Sequence, residues 1–186
     1  HWLRSSARCG KQRRSDTLDC CQDRVGPASS NRGMGGLPAI GKTGRRRHPM
    51  KITSKVGFKK DGSLVAKDLR IQLDGGAYNA MGPTATFLCG NFGAMLYRYP
   101  NYKFHGQHVY TNKPPASAMR GFGAPQSLYA SELQMNIAAE DLGIDPVDIR
   151  LKNAQVSGDK IPDVATISSC GFIESIEKVV EMSGWR

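Results

Sequence analysis

From Met50 onward, apolar and polar positions alternate as they do in strands. Ile52, Val56 and Phe58 fall on one face of an extended segment, and Val65, Leu69, Ile71 and Leu73 share a face of the next, opposite Asp68, Arg70 and Gln72. Lys59-Lys60-Asp61-Gly62 lies between them and carries the Asp-Gly turn signal, so residues 50–74 are expected to form a long β-hairpin. Asp74-Gly75-Gly76-Ala77-Tyr78 ends it. Residues 84–96 suit a helix interrupted by Gly90 and Gly93, and residues 102–111, with Tyr102, Phe104, Val109 and Tyr110, read as a further strand. A loop rich in Pro and Gly follows over 112–125.

The period then changes to that of helices. Tyr129, Leu133 and Ile137 recur every four residues beside Ala130, Ala138 and Leu142, and Gly143 stands where a helix stop is expected. Asp145-Pro146 announces a second helix, with Asp145 as N-cap and Asp148 in the first turn. A third spans 172–182, with an apolar stripe of Phe172, Ile173, Ile176, Val179 and Val180. The expected fold class is α+β: a long β-hairpin and an additional strand packed with C-terminal helices, preceded by an unstructured basic segment.

Composition locates that segment. Of the chain's net charge of +10, residues 1–48 hold eleven Lys+Arg against three Asp+Glu, and thirteen apolar residues with Trp2 as their one aromatic. Such a stretch cannot bury a core. The five cysteines, Cys9, Cys20, Cys21, Cys89 and Cys170, contain no CxxC pair and describe neither a disulfide framework nor a zinc site. No run approaches the roughly 18 apolar residues of a membrane span, and no secretory signal opens the chain. A cytoplasmic protein is expected, and a start at His1 suggests a fragment.

Three motifs are less informative than they look. Gly36-Leu37-Pro38-Ala39-Ile40-Gly41-Lys42-Thr43 matches the P-loop pattern, but no apolar strand precedes it and Gly44-Arg45-Arg46-Arg47-His48-Pro49 follows in place of a helix. The Arg45-Arg46-Arg47 run suits phosphate contacts, and a small basic nucleic-acid-binding protein is the alternative reading; no aromatic side chains accompany the run for base stacking. His105 and His108 sit three apart on a strand, on opposite faces, and are poorly placed to share a metal.

The loop ahead of the Gln126 helix carries more. Pro114 and Pro115 stiffen its approach, while Gly121 and Gly123 permit backbone conformations and close ligand approach that side chains block. Amides at a helix start favour an anion or an electron-rich oxygen. Phe122, between two glycines, can present its ring to a flat ligand. A tight loop with a buried Phe and a solvent-facing Arg fits the same residues, and the physics leaves the two readings even.

Ala118-Met119-Arg120-Gly121-Phe122-Gly123-Ala124-Pro125-Gln126 resembles the RGFGxPQ signature of the molybdenum hydroxylases, the xanthine dehydrogenase and aldehyde oxidase family. Gly44-Arg45-Arg46-Arg47-His48-Pro49-Met50, Asp74 to Tyr78, Tyr97 to Asn101, Thr111 to Pro114, Asp145 to Asn153 and Ser169 to Trp185 are similar in order and spacing to that family's molybdopterin-binding subunit. The resemblance covers residues 44–186 and divides the chain into a partial molybdopterin-binding domain, 44–186, and a disordered or out-of-frame segment, 1–43.

The resemblance implies an oxidoreductase that hydroxylates an aldehyde or an aromatic or N-heterocyclic carbon with oxygen from water. It implies a molybdenum–molybdopterin cofactor, the cytosine dinucleotide form being one candidate, and electrons leaving through iron–sulfur clusters to FAD on partner subunits or domains. Backbone groups at Met119, Arg120 and Gly121 would approach the cofactor, and Phe122 and Gly123 the substrate. The family's GGxFGGK stretch and the Gly-Glu that supplies its general base have no counterpart here, so the chain is expected to be inactive alone, with no catalytic residue or metal ligand of its own. No Arg occurs in 84–96, which points away from xanthine. Met119 to Phe122 replace the Cys-containing loop of the carbon monoxide dehydrogenase branch. Sequencing the gene upstream of Gly44 tests the N-terminal reading: a second frame encoding GGxFGGK is expected, and a confirmed in-frame start contradicts a frame error.

Overall fold

The computed structural model describes residues 18–21, 47–161 and 164–185. The P-loop-like stretch at 36–43, together with Arg45 and Arg46, lies outside them. Leu18–Cys21 (β1) pairs antiparallel with Met50–Phe58 (β2), which pairs antiparallel with Leu64–Gly76 (β3). The expected hairpin thus forms, with Ile52, Val56, Phe58, Leu69, Ile71 and Leu73 buried and Arg70 and Gln72 exposed. Its turn is held by Asp61, whose carboxylate accepts from the Ser63 amide at 3.0 Å and hydroxyl at 2.9 Å.

Helix Gly82–Met95 (α1) carries the chain back across the sheet, so Asn101–Tyr110 (β4) pairs with β3 in parallel, completing the order β1-β2-β3-β4. Helices Ala124–Leu142 (α2), Pro146–Asn153 (α3) and Phe172–Ser183 (α4) follow, with a small antiparallel pair, Lys160–Ile161 (β5) and Ala165–Thr166 (β6), before α4. Asp145 caps α3 as expected, accepting from the amides of Val147 at 2.7 Å and Asp148 at 3.3 Å. Among the described residues no helix is long and apolar enough to cross a membrane.

Two helix faces differ from the periodic reading. In α2 the buried residues are Ala124, Ser127, Ser131, Gln134, Met135, Ala138 and Ala139, while Tyr129 is exposed and Leu133 and Ile137 half-buried. Hydrogen bonding explains the exchange: Gln134 donates to the Ser54 carbonyl at 2.8 Å and accepts from the Ser54 hydroxyl at 2.8 Å, so a polar residue enters the interior satisfied. In α4 the apolar stripe is present, but none of its residues is buried.

Lys67 is also interior. It lies on β3 with 2% of its surface exposed and donates to the Gly93 carbonyl of α1 at 2.8 Å and the Ser131 hydroxyl of α2 at 2.6 Å, with Nζ 4.9 Å from the Tyr99 ring centre. Burial pushes its pKa down to about 7. An unfolded lysine titrates near 10.4. Between those values the unfolded chain binds more protons than the folded one, so this group makes stability rise with pH. Burial raises the hydroxyl pKa values of Tyr97, Tyr99 and Tyr102, which oppose the trend only above about pH 10, and pushes the Cys89 thiol up to about 11, which opposes it from about pH 8.5. The melting temperature is therefore expected to climb between about pH 7 and about pH 8.5, and circular dichroism melts of Lys67→Met should show a flatter profile. Equal slopes for the two proteins contradict a buried, deprotonating Lys67.

Candidate functional site

The site loop starts at the end of the sheet. Asp74 closes β3 and accepts from the Thr111 hydroxyl at 2.6 Å, from the Gly76 amide at 3.1 Å and from the Lys113 ammonium. The Lys113 and Thr111 bonds outweigh partial burial and hold its carboxyl below the usual range. The main chain reinforces this junction through Ala77 N–H to Lys113 carbonyl at 3.0 Å, Thr111 N–H to Gly76 carbonyl at 3.0 Å and Ala116 N–H to Gly75 carbonyl at 3.1 Å. A Cβ at Gly76 would stand 2.5 Å from the Pro114 carbonyl oxygen, so this crossing of two backbones requires glycine. Asp74 to Tyr78 and Thr111 to Pro114, read as separate landmarks in the sequence, meet in one anchor.

Beyond it the backbone is unusual. Arg120, Gly121, Phe122 and Gly123 are consecutive and all have positive φ: 22°, 100°, 46° and 98°. Two of them are not glycine, a strained arrangement that persists only where the surroundings over-determine it. Gly123 opens α2, and a Cβ there would lie 2.6 Å from the Ala85 carbonyl oxygen and 3.0 Å from Cys89 Cβ. The loop's end is thereby pressed against α1. Met119 is 50% and Phe122 37% exposed, and Arg120 and Gly121 also face solvent, whereas Gly123 is buried.

Among the described residues, the amides of Met119 to Gly123 donate to no partner. They cluster at the start of a helix whose first turn holds no acidic side chain. An electron-rich ligand is the complement of that surface.

The other side of the loop is gripped by β2's entry. The Arg47 guanidinium donates to the Arg120 carbonyl and to Gln126 Oε1, both at 3.3 Å, and Gln126 Nε2 donates to the His48 carbonyl at 3.4 Å. Arg47 and Gln126 belonged to recognisable motifs, but their pairing was not legible because 79 positions separate them. The His48 ring is buried, and burial followed by the nearby His108 keeps its pKa below the ordinary value. His108 packs against Gly75 and Gly82, while His105 is exposed on β4. Cys89, behind Gly123, has a thiol pKa pushed up to about 11 by burial, so it packs as a neutral group.

Together these features describe an α+β unit that carries a strained, solvent-facing loop at a helix start. The chain belongs to the molybdopterin cofactor-binding domain family, which matches residues 42–154. It is 40% identical over 150 residues to the nicotinate dehydrogenase large molybdopterin subunit of Eubacterium barkeri, covering 76% of this chain and 34% of that protein. It is 40% identical over 143 residues to a putative xanthine dehydrogenase molybdenum-binding subunit of Escherichia coli K12, covering 76% of this chain and 19% of that one. The fold matches aldehyde oxidoreductase from Desulfovibrio gigas with a TM-score of 0.72 and 35% identity, over 76% of this chain and 16% of that structure. These relatives are oxidoreductases, and this chain spans about a third or less of their length.

Gly123→Ala combines left-handed strain with a backbone collision and should destabilise the chain by about 2–4 kcal/mol in urea unfolding. A loss below about 0.5 kcal/mol contradicts the tight seat against Ala85.

Proposed function

We propose that this chain forms one wall of the cofactor site in a molybdenum hydroxylase acting on an aldehyde or an aromatic or N-heterocyclic substrate. The observation that carries the reading is the run of amides from Met119 to Gly123 without a partner among the described residues, four of them, Arg120 to Gly123, in consecutive left-handed conformations, within a molybdopterin-binding domain. The residues fit the group: hydrogen-bond donors without acceptors among the described residues, an adjacent Arg120, and no carboxylate in the first turn of α2. When bound, the cofactor supplies two-electron oxidation with oxygen taken from water.

The chain's own residues have narrower roles. Met119, Arg120 and Gly121 offer backbone donors to the cofactor, and their rigidity means that little reorganisation accompanies binding. Phe122, partly exposed and clamped by the backbone on both sides, offers a ring face to a planar substrate. Gly123 keeps the loop low against α1. The proton-accepting base belongs to polypeptide outside this chain, as do the iron–sulfur and FAD centres that receive electrons on partner subunits or domains. We assign the pterin to either its simple or its cytosine dinucleotide form. The free Cys89 and Cys170 suit a reducing, cytoplasmic setting.

Purified alone, the chain should retain little molybdenum or pterin by metal analysis and fluorescence; stoichiometric cofactor with turnover would refute its incompleteness. In the assembled enzyme, Phe122→Ala is expected to raise KM for a planar aromatic aldehyde by about 3- to 10-fold while changing that for a small aliphatic aldehyde less than about twofold. Equal changes for both substrates rule out a stacking role.

A further inference from the structure

We propose that Arg47 is a positioning residue whose planar guanidinium sets the direction of the Arg120–Gly121 peptide, and with it the amide that the loop presents. The proposal deepens the reading above, since the loop's importance rests on its facing the cofactor.

The geometry is specific. Arg47 is half-buried where the chain enters β2, and no described carboxylate lies within ion-pair distance of it. Its hydrogen bonds go to two neutral acceptors, the Arg120 carbonyl inside the left-handed run and Gln126 Oε1 in the first turns of α2. One rigid fork therefore ties the strained loop to the helix that follows it, and Gln126 returns the connection to the His48 carbonyl. In a trans peptide the C=O and the following N–H point in opposite directions. The Arg120 carbonyl faces Arg47, so the Gly121 N–H faces away from it, toward the open side of the loop.

Charge pairing does not explain the placement, because both acceptors are neutral and no acid among the described residues pairs with Arg47. What the site gains is direction. At φ values of 22° and 46°, Arg120 and Phe122 would relax toward ordinary backbone conformations without an external restraint. The Asp74 anchor restrains the loop's entry and the Gly123 seat restrains its exit; Arg47 is the restraint at its middle.

Trypsin cleavage after Arg120, compared with cleavage after Arg98 in the same digest, reads the loop without any cofactor. In Arg47→Gln the relative rate should rise about tenfold, the loss of hydrogen bonding to a charged group. Arg47→Lys restores the charge but not the fork and should stay close to Arg47→Gln. Circular dichroism melts establish that the variants fold; if Arg47→Gln does not, Gln126→Leu frees one side of the fork while leaving its bond to the Arg120 carbonyl, and a smaller rise, about threefold, is expected, with unchanged cleavage overturning the proposal. Wild-type cleavage in folded Arg47→Gln, or full rescue by Arg47→Lys, overturns the proposal.

In the assembled enzyme, Arg47→Gln should lower kcat about 10- to 100-fold with KM nearly unchanged and bound molybdenum retained, and should alter the molybdenum paramagnetic resonance spectrum. Faster cleavage with an unaltered spectrum and unaltered kinetics upholds Arg47 as the loop's restraint and overturns the cofactor-facing reading. A fall in activity that merely tracks lost molybdenum or a lowered melting temperature overturns positioning of the amide.

Discussion

The buried amine of Lys67 joins the sheet to both of the helices that build the site. It rises from β3 and donates to the last turn of α1 and to the middle of α2, so three elements meet at one nitrogen. Such a group is costly to bury, and its cost is limited by two short hydrogen bonds, the face of Tyr99 and a lowered pKa that lets the proton leave. Removing its partners would strand it. The relative placement of α1 and α2 is therefore narrowly determined, and the seat of Gly123 between them depends on that placement.

Other buried polar contacts repeat the arrangement farther along. Gln134 reaches across to Ser54 of β2, and Asn153 of α3 accepts from the Leu64 amide at 2.8 Å while donating to the Gly62 and Ile149 carbonyls, both at 2.8 Å. Each helix packed on the sheet is thus registered by directional bonds as well as by apolar contact. Apolar packing tolerates sliding; a hydrogen bond in a dry interior does not. A loop that must keep four residues in left-handed conformations benefits from a frame that cannot slide.

Much of this architecture is visible in the sequence, because strand and helix periods are local properties. The hairpin, both later strand and helix positions, and the Asp145 cap follow from residues within a few positions of one another. The site loop was visible for a different reason: its motif is distinctive, and the glycines beside Phe122 signal a backbone that side chains would obstruct. Its neighbours in space were not visible. Lys67 occupies an inward position on β3 that its charge argues against, and α2 turns Ser127, Ser131 and Gln134 inward while Tyr129 faces out. Simple apolar periodicity misses both, since the deciding partners lie on other elements.

The sequence by itself determined the order and kind of elements, the confinement of most of the net positive charge to the first 48 residues, and the candidate loop ahead of α2. Tertiary structure alone decided that β4 runs parallel to β3, that Asp74 fastens the loop's entry, and that Arg47 meets Arg120 and Gln126 across more than 70 positions. The reason is physical. Periodicity reports which face of an element is apolar, whereas the direction of a single carbonyl depends on a donor that only the folded chain brings within reach.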